Sequence, residues 1–181
     1  MAIGDAGREP GSQAMNTPAK FPYPGPKTLV LGLGNPILTD DGVGIHIVRA
    51  AASQCTPAID ATFAEASVGG LRLLDLLNGY ERAIMIDAIL TPEGQPGDVY
   101  RLHPGDLRAS LHSSSTHDLS LPGALELGRQ LGMKLADDED LTILAIEVED
   151  VLTFGERCTP AVAMAIPAAC QAVLAELMQP R

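Results

Sequence analysis

The sequence predicts an α/β fold, a three-layer sandwich in which a mostly parallel, twisted sheet of about five strands lies between helices on both faces. Apolar, β-rich runs alternate along the chain with segments of helical period, the order expected when parallel strands are joined through helices. At 181 residues, nearly half of them hydrophobic, the chain can bury the core of one ordinary domain.

The elements follow in order. Thr28 to Leu33 (TLVLGL), bounded by glycine, reads as a buried strand. A helix is expected to begin at Asp40 or Asp41, because Val43, Ile47, Val48 and Ala51 share one face. Ala61 to Ala66 is a short strand, and Leu71, Leu74 and Leu77 mark a second helix that Asn78-Gly79 ends. Arg82 to Ala88 (RAIMIDA) is a third strand, apolar until Asp87, which is taken to end it. Gly97 to Leu102 alternates like an exposed or edge strand. Ser113 to Gly132 holds a loop and then a helix carrying Leu121, Ala124, Leu125 and Leu127. Leu141 to Val148 (LTILAIEV) is another buried strand, and Pro160 to Met178 a last long helix that Pro167 should kink or start later. Residues 1–27 mix Gly, Pro, Ser and scattered charge without the apolar stretch of a secretion signal; they are expected to be a disordered leader, or an upstream extension with Met15 as the start, with residues 28–181 as the domain.

Composition excludes some partners. With a net charge of −11, only 12 Lys and Arg, and no basic cluster, nucleic acid is a poor partner. No apolar run approaches the roughly 18 residues that span a bilayer, so no membrane is expected. Cys55, Cys158 and Cys170 are far apart, which fits reduced thiols in a cytoplasmic protein. Cys158 and Cys170 read as small core residues, with nothing nearby to activate a thiolate.

In parallel sheets functional groups collect at the carboxyl ends of strands. That selects Asn35, Asp40 and Asp41 after the first strand, Asp87 on the third, and Glu147, Glu149 and Asp150 at the last. The turn Gly32-Leu33-Gly34-Asn35-Pro36-Ile37 has Ile where a dinucleotide fingerprint needs its third glycine, and two acids would repel a pyrophosphate. No Walker loop, serine elbow or HExxH occurs. Taking Asp40 as a helix cap leaves Asp41 in the first turn, with Gly42 and Gly44 leaving space around it. Each candidate alone has a plain structural explanation: capping for Asp41, loop-amide bonding for Asp87, a surface position for His117. His46 is expected on the flank of its helix. Together Asp41, Asp87 and His117, from three strand-end loops, offer the mixed oxygen and nitrogen donors that suit Zn, Ni, Cd, Fe or Mn, with positions left open for water or substrate.

These motifs, in this order from Thr28 to Leu177, resemble the nickel–iron ([NiFe]) hydrogenase maturation endopeptidases. The chain has Gly32, Gly34 and Asn35, then Asp40, Asp41 and Gly44, then SVGGLRLLDLL, Asp87-Ala88, PGDVYRL, STHDLSL and FGERCTPAV. The resemblance implies an aspartic-type, metal-assisted endopeptidase. It would remove a C-terminal extension from the nickel-loaded precursor of a [NiFe] hydrogenase large subunit, with Asp41, Asp87 and His117 as metal-holding and catalytic residues. The nickel would come with the precursor, and no permanent cofactor is expected. Which carboxylate acts as base stays open. The chain departs from the pattern in having Asp rather than Glu at Asp41, Val68-Gly69-Gly70 where many members have Gly-Thr, and an acid-rich EVEDVLTFGERC that reads as a subgroup-specific docking surface. A nickel-sensing docking factor without catalysis, a Rossmann-like binding domain and a hydrolase like the peptidyl-tRNA hydrolases are the rivals. The last share GLGNP, but their T-R-H-N element is replaced here by ILTDDGVG.

Overall fold

In the first strand, β1 (Thr28–Leu33), alternate residues divide the core: Leu29, Leu31 and Leu33 pack on one side of the sheet and Val30 on the other. The computed structural model describes residues 28–110 and 120–179, so the expectation for the leader lies outside the described residues. A 3-10 turn, Thr39–Gly42, precedes α1 (Val43–Gln54); there follow β2 (Ala61–Ala66), α2 (Leu71–Leu77), β3 (Arg82–Ile89) and β4 (Val99–Leu102). Then come α3 (Pro104–Ser110), α4 (Leu121–Gln130), a 3-10 turn at Asp138–Asp140, β5 (Leu141–Glu147) and α5 (Pro160–Leu177).

The strand order is β2-β1-β3-β5-β4, with every pairing parallel except β4 against β5. Helices α1 and α5 cover one face, burying Ile47, Val48, Val162 and Val173 against Val30, Ile84 and Ile146. Helices α2 and α4 cover the other, burying Leu73, Leu74 and Leu125 against Leu31, Met85 and Ile143. The expected sandwich is therefore present, with the predicted edge strand as its antiparallel member.

Several details differ from expectation. Helix α1 starts at Val43 with Gly42 at its cap and no side-chain cap, so neither acid caps it. Strand β3 continues past Asp87 to Ile89 because β5 goes on pairing with it after β1 has left. Leu71 is 52% exposed, and α2 buries Leu73 in its place. Helix α3 has no sequence signal strong enough to predict it. Helix α5 starts at Pro160 and carries Pro167 inside it. Its 18 residues have a mean hydropathy of 1.5, enough by length and composition to cross a membrane, contrary to the sequence reading; here Val162, Ala169, Cys170 and Val173 pack into the core.

Gly44, expected to leave room near Asp41, serves the packing of the helix instead. A methyl at Gly44 would run into the carbonyl oxygens of Ile86 and Leu33, and one at Gly32 into the carbonyl of Gly44. Bare backbone here lets α1 lie directly on β1 and β3. Gly44→Ala is expected to cost about 2–3 kcal/mol through overpacking, read from urea unfolding; an unchanged midpoint would show that the helix yields freely.

Candidate active site

The site begins where the chain order reverses. From β1 the chain crosses to β2 on one side and then to β3 on the other, so a crevice opens above the carboxyl ends of β1 and β3. Pairing of β1 with β3 stops at Gly32–Ile86, and Asp87 is the next residue on β3. Gly34, with φ +124°, turns the chain sharply away, and a side chain there would strike the backbone of Asp41. The turn thus folds the acid-bearing segment back over the strand ends. Thr39, just before the acids, has φ +26°, rare for a β-branched residue; its hydroxyl donates to the Thr153 carbonyl at 2.6 Å and holds it there.

Asp41 and Asp87 line one cavity of about 480 Å³, walled by Leu33, Leu73, Met85, Leu107, Leu121 and Ile143. These apolar walls belong to the α2–α4 face. Asp41 Oδ2 accepts the backbone N–H of Asn35 at 2.6 Å, which fixes its carboxylate against the glycine turn. Asp87 Oδ1 accepts its neighbour's N–H, that of Ala88, at 2.9 Å. Burial, followed by the nearby charge of Asp41, pushes the Asp87 carboxyl up to about 6, against the partial opposition of the Ala88 hydrogen bond. Ser67 Oγ donates to the Gly34 carbonyl at 2.7 Å and ties the β2–α2 turn to the same rim. His117 lies outside the described residues; Ser120 Oγ caps α4, and Leu121 lines the cavity. Among the described residues no group of three His, Cys, Asp or Glu could hold a metal ion.

Three other strand-end acids, Asp40, Glu147 and Asp150, serve the fold. Asp40 is fully buried. It accepts from the N–H groups of Glu149 (3.3 Å), Asp150 (3.1 Å) and Thr159 (2.7 Å), and from the Thr159 hydroxyl (3.1 Å). It therefore locks the β5–α5 loop and the start of α5 to the turn that carries Asp41. Asp40→Ala strands these donors and should cost about 2–4 kcal/mol while lowering activity through Asp41; retained stability in thermal melts would contradict this. Glu147, also buried, binds the N–H and hydroxyl of Thr91 at 2.6 and 2.9 Å. Asp150 caps a turn by accepting from Leu152 and Thr153. His46 is half-buried on α1 with Nε2 unpartnered. Burial, followed by the Asp40 charge, pushes the Cys158 thiol up to about 11, and burial alone raises Cys170, so neither is an activated nucleophile.

A pair of carboxylates over the switch point, in an apolar-walled cleft, is an arrangement that can support acid–base or cation-assisted hydrolysis. The comparisons with known proteins make this specific. The family model "Hydrogenase maturation protease" matches residues 26–176, and the chain belongs to that family. The chain is 28% identical over 154 residues to the hydrogenase 2 maturation protease of Escherichia coli K12, covering 84% of this chain and 92% of that one. It is 27% identical over 160 residues to the hydrogenase expression/formation protein HupD of Rhizobium leguminosarum, covering 83% and 73%. The solved structure of the hydrogenase maturating endopeptidase HybD from Escherichia coli superposes with a TM-score of 0.68 at 30% identity, over 83% of this chain and 91% of that one. The protein is thus an endopeptidase of hydrogenase large-subunit maturation.

Proposed function

We propose that the cavity between Asp41 and Asp87 receives the nickel ion carried by the large-subunit precursor, that His117 completes the ligand set, and that the cut removes a C-terminal extension in the cytoplasm. The supporting observation is the pairing of two carboxylates in one apolar-walled cleft, where burial, with the charge of Asp41 adding to it, raises the cost of ionising Asp87. A cation reverses that cost by favouring both ionised forms. His117 stands four residues before Leu121, a residue of the cavity wall. A nickel ion held there can polarise the scissile carbonyl or acidify a bound water, and a carboxylate can take the proton released on attack.

The test compares nickel-loaded and nickel-free precursor, each incubated with catalytic amounts of this protein and weighed intact. Loss of a C-terminal peptide from the loaded form alone is expected. Equal cleavage of both forms would remove nickel from the reading and leave the endopeptidase intact.

A further inference from the structure

The cavity occupies one part of the surface that a protein substrate must meet, and a second part lies beside it. Three large apolar side chains are left in water on adjoining loops: Ile37 at 49% exposure, Leu152 at 84% and Phe154 at 80%. The backbone beneath them is fastened at several points. Gly155 donates its N–H to the Ile37 carbonyl at 3.0 Å, and Leu38 bridges Gly155 in parallel. Thr39 holds the Thr153 carbonyl, Asp150 Oδ1 accepts from Leu152 and Thr153, and buried Asp40 binds the N–H groups of Glu149 and Asp150. Rigid backbone presenting exposed Leu and Phe is the arrangement of a binding anchor, since the ordering cost of those loops has been met before any partner arrives.

We propose that Ile37, Leu152 and Phe154 form the docking surface for the folded body of the large-subunit precursor, and that they engage an apolar patch bordered by basic side chains. Continuity fixes the occupant. Ile37 is two residues from Asn35, whose N–H binds the site carboxylate Asp41 and which itself lines the cavity. A macromolecule cut at Asp41 and Asp87 passes Asn35, two residues from the start of this strip, and the strip is the exposed apolar surface that continues from it. Charge fixes the border. Glu149 and Glu156 are exposed and Asp150 half-exposed on the segment that carries Leu152 and Phe154, against Arg157 alone, on a chain of net charge −11. That rim favours a cationic partner and discourages a second, equally acidic copy of this chain. Asp40 then has two duties: it fastens the docking loop and the turn bearing Asp41 into one rigid piece, so that seating the precursor also sets its cleavage segment over the carboxylates.

The inference rests on the peptidase reading of the cavity and not on nickel. It is tested by steady-state processing of the precursor by the full chain, the wild type beside L152S/F154S and E149K/E156K. The first variant should raise KM by about tenfold or more while kcat stays within about twofold. The second should raise KM and flatten its dependence on salt. Both replace exposed side chains, and unchanged melting temperatures will confirm intact folds. Unaltered KM in both variants, with the wild type turning over, overturns the docking surface and leaves the peptidase standing. So does a wild-type dimer that L152S/F154S dissociates without changing KM, since a second copy would then be the occupant. Failure of the wild type to shorten the precursor overturns the peptidase reading and the docking surface with it.

Discussion

Asp87→Asn is expected to stabilise the free protein at pH 7.5 by about 2–3 kcal/mol while lowering its activity by on the order of 10²–10⁴-fold. The carboxyl is held up to about 6 by burial and by Asp41. An unfolded aspartate titrates at about 3.9. Between these values the folded state binds more proton than the unfolded state. Stability from this group therefore declines as pH rises from about 4 to about 6, and the whole penalty, about 1.4 kcal/mol for each tenfold difference in proton affinity, is present above that window. Asn keeps the shape and the oxygen that accepts from Ala88 and cannot ionise. Urea unfolding from pH 4.5 to 8 reads the effect: the wild type should weaken across the window and the Asn variant should not. Parallel curves would show that Asp87 is well solvated. A protein that gives up stability to hold a buried carboxylate beside another is one whose site is shaped for a cation or a proton.

Glu176→Ala should act in the opposite direction and cost about 3 kcal/mol or more. Glu176 lies buried on α5 at the amino-terminal edge of the sheet, away from the site. Its carboxylate accepts from Arg82 at 2.8 Å, from Arg101 at 2.9 and 3.0 Å, and from Thr142 at 3.1 Å, joining β3, β4, β5 and α5. Arg101 also meets His103 Nε2 at 2.9 Å, while His103 Nδ1 bonds the Leu141 carbonyl. Removing the acid leaves Arg82, whose side chain is only 12% exposed, without its counter-charge. The Arg101 hydrogen bonds, above all, hold the Glu176 carboxyl below its usual range against the opposing effect of burial, and Arg82 and Thr142 add to this. Its contribution is thus complete above about pH 4.3 and is lost as pH falls through the depressed folded value. Glu176→Gln, which keeps the oxygen acceptor, should lose less than Ala. Similar losses from both would mean that packing, not charge, is what the residue supplies. Activity per folded molecule should be unchanged in both, because no atom of this cluster lines the cavity.

The pattern of the sequence revealed what depends on neighbours in sequence. Strands β1, β3 and β5 and helices α1 and α4 are apolar or periodic over lengths that leave little choice, and the strand-end rule then selects Asp41 and Asp87 together with Asn35, Asp40, Glu147, Glu149 and Asp150. What depends on distant partners was hidden. Asp40 looked like a cap for α1, yet its hydrogen-bond partners stand more than 100 positions away, at Glu149, Asp150 and Thr159. Gly44 looked like clearance for Asp41, but its lack of a side chain is taken up by the carbonyls of Ile86 and Leu33. Asp87 looked like the end of its strand because its own run turns polar there, whereas β5 carries the ladder on to Ile89. Helix α3, which begins on Pro104-Gly105, is too short for periodicity to show it. The motif resemblance supplied what pattern alone left open, the peptidase activity and the family.

Whether the Asp41–Asp87 cavity is where the precursor is cut is tested most directly by a time course of intact mass. The large-subunit precursor is incubated with wild type, Asp41→Asn or Asp87→Asn at equal folded concentration. Loss of a C-terminal peptide is expected with wild type, at a rate lower by on the order of 10²–10⁴ with either variant. Processing at the wild-type rate by either Asn variant would contradict this and move the active site away from the cavity.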